Sequence, residues 1–199
     1  MPASPFRADI RNAYTRENKN GILPFIGDTF ASGEPGALRV MTIGINAYLS
    51  EADWARQHPE WFSGWFKDGV HKFDRTVAAD AATIANALAD TSYFTGLTYR
   101  GKENIFHTNA VKFYMPESRG KHSNQVTRED YQRCAPTWHA ELDVMAKHGV
   151  LPHIVIVFGQ PFWEWAWQAF HPRTRPSFAH LKLDLRCFRG ESDAHERVA

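Results

Sequence analysis

At 199 residues the chain has the length of one domain, 1–199, large enough to bury a sizeable core, and no internal repeat or linker divides it. Hydrophobic residues at 43% and charged residues at 23% exclude the disordered and membrane classes, and no apolar run approaches the ~18 residues that a membrane span needs. A net charge of +1 excludes a strongly basic protein, so contact with nucleic acid requires Lys and Arg gathered on one face.

Residues 1–21 are polar, with Arg7, Arg11, Arg16 and Lys19 interleaved with Tyr14, and predict a short helix on the outside of the fold. The opening residues lack the basic and apolar regions of a signal peptide, which predicts a cytoplasmic protein. Two cysteines, Cys134 and Cys187, cannot supply the four thiolates of an iron–sulfur cluster or a zinc site, so no metal or other cofactor is expected. An apolar loop, 21–28, and a turn at Glu34-Pro35-Gly36 lead to the run 38–48. Residues 38–43 of that run are short, apolar and partly β-branched, as a buried parallel strand is. The strand is expected to stop at Gly44-Ile45-Asn46-Ala47-Tyr48. An ordinary asparagine turn would look the same. The alternative is a pocket wall, because ligands of open α/β sheets sit beyond the carboxyl ends of the strands.

Residues 49–72 carry Trp54, Trp61, Phe62, Trp65 and Phe66, a set that is more often satellite core than ligand cage. The helical spacing of Val77, Ala81, Ile84, Ala85 and Leu88 predicts a helix over 73–90. A second strand is expected at 104–109, ending in Asn109 and running into Lys112. The loop 114–125 carries Arg119, Lys121 and His122 and reads either as a solvated connection or as a phosphate-contacting segment. Thr127 and Asp130 form a capping box that opens a helix running toward Gly149, with a kink or restart expected at Pro136. A third strand, 153–159, precedes an apolar helix that begins near Pro161, and 181–188 alternates as a half-exposed strand does. Three parallel strands would place Asn46, Tyr48, Asn109 and the Gly159-Gln160 turn around one cleft. The fold class that follows is an α/β three-layer sandwich with a central, mainly parallel sheet of about four strands.

Together, Gly44-Ile45-Asn46-Ala47-Tyr48, Thr108-Asn109-Ala110-Val111-Lys112 and Val155–Gly159 resemble, in order and spacing, three motifs of the uracil-DNA glycosylase superfamily. The resemblance covers about residues 22–165 and implies a glycosylase that flips a base out of DNA and hydrolyses its N-glycosidic bond. It gives Asn46 the position of the residue that orients the attacking water. Gly44, Ile45, Tyr48, Phe62 and Asn109 take base-binding positions, with Tyr48 excluding the thymine methyl. Asn109, with one amide donor and one acceptor, matches N3–H and O4 of uracil, a pattern that cytosine inverts. Lys112, Arg119 and Lys121 are the expected contacts to the DNA backbone, and damaged or mismatched DNA is the expected partner.

Two departures stand beside the resemblance. Ala47 occupies a position where members with Asn at the third motif residue usually carry proline, and a C-terminal His-Pro-Ser motif is not found. Either that motif is cut off or the chain works without it. No His-Glu-x-x-His, Gly-x-Ser-x-Gly, P-loop or Gly-x-Gly-x-x-Gly motif offers a competing chemistry. The rival expectation is a non-catalytic protein of the same fold that binds DNA or a nucleobase.

Overall fold

The computed structural model describes residues 4–17, 23–46, 96–113 and 126–157, with Ile45, Asn46 and Lys102 described by backbone alone. It is an α/β fold around a four-stranded mixed sheet. In chain order the elements are α1 (Pro5–Glu17), β1 (Phe25–Ile26), α2 (Asp28–Ser32), β2 (Val40–Asn46), a 3-10 turn (Gly101–Asn104), β3 (Ile105–Val111), α3 (Arg128–His148) and β4 (Ile154–Val157). The sheet order is β1-β3-β2-β4. β2 pairs in parallel with both β3 and β4, whereas the two-residue β1 lies antiparallel on the edge of β3. The three strands expected from the apolar runs are therefore all present among the described residues, and all are parallel.

Their bounds differ from the expectation in one informative way. β2 does not stop at Gly44 but continues to Asn46, and β3 runs two residues past Asn109. Pairing between the two strands holds them extended: Gly44 lies opposite Asn109, and Asn46 opposite Val111. Glycine looks like a stop signal in isolation, yet a partner strand supplies the ladder that carries the chain through it.

Alternation along the strands divides the sheet into two faces. Met41, Ile43, Phe106 and Ala110 share a core with Phe6, Ile10 and Tyr14 of α1 and with Tyr131, Trp138, Leu142 and Met145 of α3. This corrects the expected placement of the first helix on the outside. Phe6, Ile10, Ala13 and Tyr14 recur at helical spacing and are all buried, so the charged residues between them occupy only the solvent side. The opposite face carries Val40, Thr42, Gly44, Ile105, His107, Asn109 and Ile154, and it is buried too.

α3 is capped at both ends as its sequence dictates. Thr127 accepts from the Asp130 amide while the Asp130 carboxylate accepts from the Thr127 amide. At the far end Gly149 adopts φ 66°, which lets its own N–H reach Ala146 O and the Val150 N–H reach Met145 O. Of the kink or restart expected at Pro136, the restart does not occur. The helix runs through it as one element, and Pro136 is exposed, so water can solvate the carbonyl that loses its partner. Among the described residues no helix is long and apolar enough to cross a membrane.

Candidate functional site

The carboxyl ends of β2 and β3 meet side by side, and what they bring together is set by register. Gly44 faces Asn109 across the strand pair, and Asn46 lies two residues further on, opposite Val111. With strands ~4.8 Å apart and ~3.3 Å per residue, the Cα atoms of Asn46 and Asn109 are about 8 Å apart. β2 is also the strand at which the sheet order turns, since the chain places β3 on one side of it and β4 on the other. Ligands of open α/β sheets bind outside the carboxyl ends at such a reversal.

Asn109 is 5% exposed, and its Oδ1 lies directly over Gly44, 2.5 Å from where a Cβ there would be. Its side-chain amide makes no hydrogen bond among the described residues. Neither atom of that amide is among the fully enclosed polar atoms without a partner, so the amide keeps contact with solvent and avoids the full cost of an orphaned polar group. The strand's other asparagine shows the ordinary arrangement. Asn104, fully buried just before β3, donates to Leu38 O at 2.8 Å and to Thr98 O at 3.2 Å and accepts from the Arg100 amide at 2.7 Å.

Below Asn109 on the same face, His107 Nδ1 is hydrogen-bonded to Thr42 Oγ1 at 2.7 Å. Burial, and secondarily the charge of Lys112, pushes the His107 pKa down to about 3, so the ring is neutral at physiological pH. The pair walls the inner side of the site. No feature of the linear sequence marks it except that His107 alternates with Ile105 and Asn109 on a strand whose neighbours are apolar.

Lys112 is corrected by the structure. Its side chain is fully buried and cannot reach a DNA phosphate. The ammonium turns under the sheet instead, 2.7 Å from Glu141 Oε2 of α3, donates also to Thr108 Oγ1, and lies 4.3 Å from the centroid of the Trp138 ring. Glu141 accepts further hydrogen bonds from Tyr14 (2.5 Å) and Thr108 (2.9 Å), and the Lys112 amide donates to Cys134 Sγ at 3.2 Å. Burial lowers the Lys112 pKa while Glu141 opposes the shift, and burial followed by Glu141 raises the Tyr14 phenol well above its ordinary value. The pairing had a legible signal in α3, because Glu141 shares the buried face of Trp138, Leu142 and Met145.

No protein-family model, curated protein or solved structure matches this chain. The site therefore rests on its own geometry. The structure brings Gly44, Asn46 and Asn109 to one end of the sheet, and Ile45 lies between the first two. Tyr48, Phe62, Arg119, Lys121 and the Gly159-Gln160 turn lie outside the described residues, as do the expected helices at 73–90 and after Pro161, the strand at 181–188 and the region of the C-terminal motif.

Proposed function

We propose that the chain is a uracil-DNA glycosylase-type hydrolase that removes uracil or a related damaged base from DNA, on a three-layer sandwich fold of that superfamily. The observation that carries this reading is the buried Asn109 amide, unpartnered among the described residues and seated on Gly44 at the carboxyl end of the central strands. An amide donor and acceptor held ready in a buried place suits the N3–H and O4 edge of a flipped uracil. Burial on the sheet face away from α1 and α3 supports the sandwich. In the reaction the C1′–N1 bond breaks with its electron pair going to the base, water adds to C1′, and the water's proton is lost to solvent. Asn46 orients that water by hydrogen bonding; an amide does not ionise and takes no proton. Tyr48 rejects the thymine methyl, Ile45 and Phe62 pack on the base, and Arg119 and Lys121 contact the backbone.

The test is incubation with uracil-containing single-stranded, U:A and U:G oligonucleotides followed by alkaline cleavage of abasic sites. Strand scission that is lost in Asn46→Ala supports the reading, and scission that survives it removes the role of Asn46. Ala47, where proline is usual, favours a second reading, a non-catalytic module of the same fold that binds DNA or a nucleobase. Binding of uracil-containing DNA with no scission on any substrate selects it.

A further inference from the structure

We propose that Gly44 is a positioning residue: the absence of a side chain there leaves the room in which the Asn109 amide lies across β2, where it can meet the pairing edge of a base. The proposal rests on the glycosylase reading above. Glycine is poorly suited to the middle of a paired strand, so its presence needs a reason. Backbone conformation is not that reason, because Gly44 is not among the glycines with positive φ. Space is. A Cβ at position 44 would meet Asn109 Oδ1 at 2.5 Å and Asn109 Cγ at 3.7 Å, with His107 Cε1 at 3.6 Å behind them. The His107 ring is tied to Thr42 and does not open a way round. Only the end of the Asn109 side chain can yield, so a methyl group at 44 leaves the fold standing and turns the amide away.

The test is a double-mutant cycle on the full chain: wild type, Gly44→Ala, Asn109→Ala and the double variant, assayed for excision from single-stranded oligonucleotides carrying uracil, with cytosine as the competing base. Gly44→Ala and Asn109→Ala should each lower uracil excision on the order of tenfold or more, the loss expected when a polar edge goes unpaired. The double variant should be no worse than Asn109→Ala, and Gly44→Ala should narrow the preference for uracil over cytosine, which a purely structural glycine would leave unchanged. If Gly44→Ala alone fails to fold, the Asn109→Ala background, which removes the obstructing atom, should restore folding. Additive losses, an unchanged base preference or no such restoration would overturn the positioning role while leaving an active glycosylase intact. A wild-type chain that neither excises uracil nor binds the uracil oligonucleotide removes the glycosylase reading itself and this role with it.

Discussion

The two ends of β3 each bury an asparagine, and they use it in opposite ways. At the amino end Asn104 spends its amide on three hydrogen bonds that tie the start of the strand to Leu38, Thr98 and Arg100. At the carboxyl end Asn109 holds its amide over a glycine with no partner among the described residues. One residue type at similar burial is structural where its polar atoms are satisfied and available for chemistry where they are not. Three residues beyond Asn109 the contrast repeats: Lys112 turns to the helix-covered face, and its ammonium is paired with Glu141 and Thr108.

The largest effect should come from breaking that satisfied face. Lys112→Ala leaves the Glu141 carboxylate buried without its counter-charge and should cost about 3–5 kcal/mol, measured by denaturant unfolding. Replacing both partners with apolar residues, Lys112→Met with Glu141→Leu, should recover most of that loss. A double variant as unstable as the single one would mean that the neighbouring hydrogen bonds, and not the uncompensated charge, hold α3 to β3.

The next effect is one of pH. His107 binds a proton near pH 6.5 when unfolded but only near pH 3 when folded, so the unfolded state holds more protons between these values. Stability from this residue is therefore present above about pH 6.5 and is lost progressively as pH falls toward 3, by an amount on the order of a few kcal/mol. His107→Gln should flatten the stability profile in that window. An unchanged slope would place the ring where solvent can protonate it.

The two asparagines give the finer comparison. Asn104→Ala removes three hydrogen bonds and strands the groups they satisfied, and it should cost about 2–3 kcal/mol. Asn109→Ala removes none among the described residues and should change stability by less than about 1 kcal/mol. Equal losses at the two positions would erase the distinction between a structural and an available amide.

The parallel core was legible in the sequence because Val40–Ile43, Ile105–Phe106 and Ile154–Val157 are short, mainly apolar, β-branched runs that suit a buried parallel strand better than a helix. The caps of α3 were legible because Thr127, Asp130 and Gly149 act within a turn or two of chain. What failed depended on partners distant in sequence. Lys112 follows an apolar run and reads as a surface cation until α3, 29 residues on, brings Glu141 beneath it. Gly44 reads as the end of a strand until Asn109 is seen to occupy the space that its side chain would fill. Tyr14, placed outside by its charged neighbours in sequence, is instead held in the core by a carboxylate 127 positions away.

The account depends most on Asn109 being free to read a base, and one paired measurement tests that directly: uracil excision and unfolding stability of Asn109→Ala beside wild type. Excision at least about tenfold lower with stability within about 1 kcal/mol is the predicted result. A variant that unfolds like a core mutant yet excises uracil at the wild-type rate would contradict it.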